Sequence, residues 1–184
     1  MTGPDPWILL ELADGRTTLA TGLFVTISFI GSVWLLPVWA FAASALIDVR
    51  TSQRWRTVAA MAAALLMEVL LVWLLKDAVG RPRPQVVPRL VTELNGSFPS
   101  GHATAIATAM TVLVLSIRRA RVPRWGLWAL AAAAACIVMG LSRLYLGVHW
   151  PSDVAAGLVL GFALGCLGTW ATSAARIAAP APPG

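Results

Sequence analysis

Apolar runs of membrane length alternate with short polar loops along most of this chain. Residues 1–16 are an exception. Pro4 and Pro6 precede Trp7-Ile8-Leu9-Leu10-Glu11-Leu12, a stretch too short and too charged to span. It predicts an interfacial amphipathic helix with Trp7 at the headgroups. Residues 17–48 are apolar throughout. That is longer than the about 20 residues of one span and shorter than two spans with a turn. Gly31-Ser32 and Pro37 are possible break points. The favoured reading is a shallow helix over 17–30 followed by a span over 31–48, and two short spans are the rival.

A polar loop over 48–56 carries Arg50, Arg54 and Arg56. Residues 57–75 predict a span that ends at Lys76. The segment 77–98 cannot span, because Pro82, Pro84 and Pro88 forbid a regular helix and Asn95-Gly96 signals a turn. Residues 102–117 predict a short span, closed by Arg118, Arg119, Arg121 and Arg124. Another span covers 125–141, with Trp125 and Trp128 near one interface. Residues 142–152 are polar again, 153–172 predict the last span, and 173–184 form an Ala/Pro-rich tail expected to be flexible. Gly157, Gly161 and Gly165, four apart, predict a small-residue stripe for close helix packing. The fold expected is therefore all-α. It is a polytopic membrane helix bundle forming a single domain over 1–172, with about five transmembrane helices plus the N-terminal interfacial helix. Six spans are the alternative.

Composition agrees with lipid as the solvent. Charged residues make up 12% of the 184 positions, against about 25% in soluble domains, and mean hydropathy is +0.77. The net charge of +6 would suggest nucleic acid in a soluble protein. Here the basic residues lie in short loops between apolar runs, where they set orientation, so no nucleic-acid partner is expected. Cys136 and Cys166 lie inside apolar runs and read as small core residues. Asp5, Glu11, Asp14 and Arg16 interrupt the start, so no signal-peptide pattern is expected there, and no internal repeat is evident.

Three polar clusters sit at the ends of apolar runs: Lys76 with Arg83-Pro84, Pro99-Ser100-Gly101-His102, and Ser142-Arg143 with His149 and Asp153. An even number of spans separates them, so they share one side of the membrane. Lys76, Arg81, Arg83, Arg89 and Arg143 fall on that side. Arg50, Arg54, Arg56, Arg118, Arg119, Arg121, Arg124 and Arg176 fall on the other. The excess marks the second side as cytoplasmic and places the clusters on the extracytoplasmic face.

Lys76, Arg83 and Arg143 converging there need an anion, although basic residues at span ends also snorkel to headgroups. A phosphoryl group matches such a clamp, and arginine can engage it bidentately. Ser100-Gly101-His102 opens a helix whose free N–H groups suit an anion; Gly101 permits close backbone approach and Ser100 can cap. The bland alternative is an ordinary helix start, which leaves His102 unexplained. His149 and Asp153, four apart, share a helical face, so the carboxylate can fix the imidazole tautomer and raise its basicity. His149 has this partner and His102 has none, which suggests nucleophile and general acid. Two histidines and an aspartate could also hold a divalent ion. The neighbouring cations would repel it and already supply its charge, so no metal and no cofactor are expected. Glu68 lies mid-span, about 12 Å from Lys76 along a helix. An ionisable group at that depth is a functional candidate, but structural and functional roles stay open and it is not assigned to the site.

These motifs resemble the type 2 phosphatidic acid phosphatase family of integral membrane lipid phosphatases. The lysine with Arg-Pro, the Pro-Ser-Gly-His, and the Ser-Arg with histidine and aspartate are complete and in order between Lys76 and Asp153. The resemblance implies that His149 attacks phosphorus to form a phosphohistidine, with Asp153 holding its imidazole. His102 would protonate the leaving oxygen, and water would release phosphate. Lys76, Arg83, Ser100, Gly101 and Arg143 would hold the phosphoryl oxygens, without a metal. It also implies six spans, with the site near the extracytoplasmic surface of a bacterial plasma membrane. This chain departs at its N-terminus, where Trp7–Ser32 looks like the interfacial segment that follows the first span. Soluble vanadium haloperoxidases share the signatures, but hydrophobicity argues against them. Undecaprenyl diphosphate, phosphatidylglycerol phosphate and phosphatidic acid are the expected substrates. Phosphoryl transfer between lipids, or non-catalytic binding of anionic lipids, is the competing function.

Overall fold

A computed structural model describes the backbone of residues 4–52 and 55–178, and the side chains of 5–52 and 55–173. Arg54 and the side chain of Arg176, both counted above for orientation, lie outside the described residues. The described chain is helical: α1 Pro4–Asp14, α2 Thr18–Ile30, α3 Leu35–Thr51, α4 Arg56–Val79, α5 Gly101–Arg119, α6 Trp125–Tyr145 and α7 Pro151–Ala178. Four of these, α4 to α7, are long and apolar enough to cross a membrane, and α2 with α3 makes a fifth crossing when taken as one broken span. The protein is an integral membrane protein of the helical-bundle class.

The long apolar stretch over 17–48 breaks where Gly31-Ser32 predicts. The helices on either side meet at 61°. α2 lies obliquely over the end of α6: the hydroxyl of Thr21 meets that of Tyr145 at 3.1 Å, Ser28 meets Arg143, and Gly31 abuts the Met139 side chain. α3 then runs down to the opposite end of the bundle. There its buried Asp48 accepts hydrogen bonds from the N–H groups of Thr57 (3.0 Å) and Val58 (3.1 Å), capping α4 from outside.

The bundle core joins α3, α4, α5 and α6 through Leu36, Met61, Leu65, Ile106, Val112 and Met139. α5 and α7 pack face to face. A Cβ on Gly157 would lie 2.7 Å from the Ser100 carbonyl, one on Gly161 would overlap that of Thr104, and one on Gly165 would lie 2.5 Å from Thr111 Cβ. The small-residue stripe is thus an interhelical contact in which backbone meets backbone. At the N-terminus, α1 seats Leu9 against Val87, Leu144 and Val154. Arg16 fixes the next turn by donating to the carbonyls of Tyr145 (3.0 and 2.7 Å) and Pro88 (2.9 Å).

Helix ends differ from the sequence expectation in one consistent way. α4 continues beyond 75 to Val79 and stops at Gly80, whose φ of +56° provides the left-handed cap. α6 continues beyond 141 to Tyr145, carrying Ser142 and Arg143 on its last turns. Hydropathy ends a run at the first polar residue, whereas the backbone keeps its hydrogen bonds and a cation favours the negative helix end. α7 reaches Ala178; residues 179–184 of the Ala/Pro-rich tail lie outside the described residues.

Candidate active site

Four helices deliver the three clusters to one end of the bundle: α4 and α6 by their C-termini, α5 and α7 by their N-termini. The loop from Gly80 to Ser100 closes over them. Lys76 donates from Nζ to the Gly96 carbonyl at 2.5 Å. A side chain at Gly96 would stand 3.1 Å from the Lys76 carbonyl, so the Asn95-Gly96 turn needs glycine to come this near. Ser100 is the N-cap of α5, and its own N–H donates to the Asp153 carbonyl at 3.1 Å, tying the starts of α5 and α7 together. α7 begins with Pro151 at its first position, and the Asp153 carboxylate reaches back to the Trp150 N–H at 3.0 Å. This is half of a capping box.

His149 lies just before α7 and is buried, 1% exposed. Its Nε2 is 3.1 Å from a terminal nitrogen of Arg83. Arginine can only donate, so Nε2 accepts and the ring proton belongs on Nδ1. That Nδ1 faces Asp153 Oδ2 at 3.6 Å and has no partner within hydrogen-bond range. The pair expected from the spacing is together but loose, because Asp153 is engaged elsewhere. Its Oδ2 accepts from Ser97 (2.5 Å) and Trp150, and its Oδ1 from Arg81 (2.6 Å). Burial, then the cations of Arg83, Arg143 and Lys76, depress the His149 pKa to about 4 against the opposing pull of Asp153. The imidazole is therefore neutral at physiological pH, as a nucleophile must be.

Arg83 spans the site. It donates to the carbonyls of Asn95 (2.8 Å), Val148 (2.7 Å) and Gly96 (3.3 Å) as well as to His149. Arg143, fully buried, donates to the Ser28 hydroxyl and to Glu93 Oε1, and its Nε is left without a partner. The other Glu93 oxygen lies 3.6 Å from Arg83. One carboxylate thus bridges both guanidiniums of the clamp. Burial pushes its pKa up, but Arg143 and then the other positive groups outweigh this and hold it below the ordinary carboxylate range.

A half-open cavity of about 600 Å³ reaches this cluster from the side of the bundle, between α2 and α4. Lys76, Glu93, Gly101, His102 and Arg143 line its polar end. Arg83, Ser100, His149 and Asp153 sit behind that wall, each 8% exposed or less. All eight residues expected from the sequence converge here, in two layers. His102, expected to stand without a carboxylate, feels Glu93 as an electrostatic neighbour. Among the described residues, no group of three or more His, Cys, Asp or Glu side chains is arranged to hold a metal ion.

Sequence reasoning missed Glu93, Arg81 and Ser97. The available signal for Glu93 was its isolation: it is the single carboxylate between Asp77 and Asp153, within a loop otherwise supplying cations. Arg81 and Ser97 carried no such signal.

The model of the PAP2 superfamily matches residues 57–177. An undecaprenyl-diphosphatase of Sulfolobus acidocaldarius is 45% identical over 65 residues, 35% of this chain and 28% of that protein. A lipid A 1-phosphatase of Rhizobium etli is 38% identical over 101 residues, 50% of this chain and 40% of that protein. This chain spans less than half the length of either relative. Among solved structures, a transmembrane PAP2 type phosphatidylglycerolphosphate phosphatase from Bacillus subtilis superposes with a TM-score of 0.83. It is 25% identical, with 92% of this chain and 85% of that one covered.

Proposed function

This chain belongs to the PAP2 superfamily, and from that membership we propose that it is a membrane phosphatase cleaving lipid phosphates or diphosphates without a metal, through a phosphohistidine on His149. The observation that carries the proposal is the buried imidazole of His149 whose Nε2 meets the Arg83 guanidinium at 3.1 Å. Neither lipid binding nor structure requires a nucleophilic nitrogen in that place.

The chemistry follows from the layers. A phosphoryl group entering from the cavity takes the position that Glu93 occupies between Arg143 and Arg83. Lys76 and the N-terminus of α5 at Ser100-Gly101 neutralise the remaining oxygens. Arg83 then turns from Nε2 to the phosphoryl oxygens, which frees the lone pair for in-line attack on phosphorus. The bond to the lipid oxygen breaks as His102, charged by a proton taken from the incoming phosphate monoester, gives that oxygen the proton. Asp153, with Ser97 and Arg81 behind it, stabilises the charged phosphoimidazole. Water next attacks phosphorus, His102 takes its proton, and phosphate leaves with His149 restored. The domain is the single unit over 1–172, and the site faces the extracytoplasmic side.

Phosphate release by the purified protein in detergent with EDTA tests this. Undecaprenyl diphosphate, phosphatidylglycerol phosphate and phosphatidic acid would be offered in parallel. Turnover of at least one, abolished by His149→Ala, is expected. Activity that needs added Mg²⁺, or that survives in His149→Ala, would refute the proposed chemistry.

A further inference from the structure

Glu68 stands on α4 two turns below Lys76, within the membrane-spanning part of the helix. It is 6% exposed, it lines the same cavity as the proposed phosphate clamp, and among the described residues its carboxyl has no hydrogen-bond or ion-pair partner. Its neighbours along that wall are Leu65, Val69 and Val72. Its oxygens are not sealed in the core but open on the cavity, and an ionisable group at membrane depth is costly unless something meets it there. Packing alone would be served better by leucine.

We propose that Glu68 is a specificity-determining residue whose carboxyl, in its acid form, donates a hydrogen bond to an ester carbonyl of the bound lipid, so that the cavity selects glycerolipid phosphates over polyprenyl phosphates. This rests on the phosphatase reading above. The distances agree with it. Glu68 lies about 12 Å from Lys76 along the helix axis. From phosphorus at the Lys76 level, the glycerol backbone and first ester reach roughly 7–8 Å deeper in extended form. A hydrogen bond adds about 3 Å. A polyprenyl chain has only hydrocarbon at that depth and would leave the carboxyl unsatisfied.

The test compares kcat/KM for dioctanoyl phosphatidic acid, its dialkyl ether analogue and geranylgeranyl phosphate, all monoesters. Wild type should prefer the ester lipid over both others by about tenfold, the scale of one hydrogen bond. Glu68→Leu should erase that preference while keeping turnover of geranylgeranyl phosphate, and Glu68→Gln, which still donates, should retain most of it. If Glu68→Leu does not fold, the ester-to-ether ratio of the wild type decides alone. Equal rates on ester and ether lipids in the wild type, or an unchanged ratio in Glu68→Leu, would overturn the proposal while leaving the phosphatase reading intact. Hydrolysis of none of the three, in a preparation that turns over undecaprenyl diphosphate, would overturn this inference alone; turnover of no lipid phosphate or diphosphate would remove the phosphatase reading as well.

Discussion

Arg83 and Glu93 tie the site residues to one another. Arg83 donates to the nitrogen of the proposed nucleophile, and Glu93 sets its two carboxylate oxygens against Arg83 and Arg143, where the proposed chemistry puts the phosphoryl oxygens. Removing that carboxylate leaves Arg143 as a buried, uncompensated cation, which costs about 3–5 kcal/mol. Glu93→Leu should therefore lower Tm markedly, and vanadate should raise the Tm of the variant more than that of the wild type, because an oxyanion can take the vacated place. Equal vanadate shifts would show that Glu93 and the phosphoryl group do not share a position. His102→Ala should lower kcat by about 10²–10⁴-fold, the range for a general acid. The acid limb of kcat/KM should fall near pH 4, not near the ordinary histidine value of 6.5, because burial first and the clamp cations next disfavour the charged ring. Lys76→Gln removes one of those cations and should move the limb upward. His149 favours the folded state fully above 6.5, and that contribution is lost as pH falls toward about 4.

The contact that positions this chemistry at the level of elements is α5 on α7. The proposed nucleophile and its carboxylate lie just before and at the start of α7, the proposed acid at the start of α5, and the separation of the two helices is set by glycines pressed against opposing carbonyls. Gly161→Ala should push the two helices apart and destabilise by about 1–3 kcal/mol, with kcat falling alongside. Gly126→Ala, where a Cβ meets nothing within 4 Å, is the neutral control. Helix periodicity made most of this readable from the sequence, because Ser100, His102, Arg143, His149 and Asp153 all lie on or next to helix ends. The loop was not readable in the same way. Glu93, Arg81 and Ser97 reach the site through turns that have no period, and their partners lie far away in sequence. The same holds for α1, where Asp5 pairs with Arg81 at 3.2 Å while Arg81 pairs with Asp153. Nothing in the residues 1–16 pattern announces a link to the site carboxylate.

At the scale of the molecule, the broken α2–α3 pair resolves a run too long for one span and too short for two. α1 and α2 settle against the site end of the bundle. Hydropathy alone left this open because a kink at Gly31-Ser32 and a loop there have the same composition. The arginine asymmetry makes a directional prediction: Leu94→Cys, on the exposed part of the site loop, should react with a membrane-impermeant maleimide in intact cells, and Arg121→Cys should react only after lysis. The reverse pattern would invert the proposed orientation.

In the proposed reaction His149 carries the phosphoryl group between the lipid and water. The most direct measurement is the stereochemistry at phosphorus when the protein hydrolyses an isotopically chiral lipid thiophosphate in isotope-labelled water. Two successive displacements, one by His149 and one by water, predict net retention. Net inversion would mean that water attacks the lipid phosphate directly, with no phosphohistidine on the path.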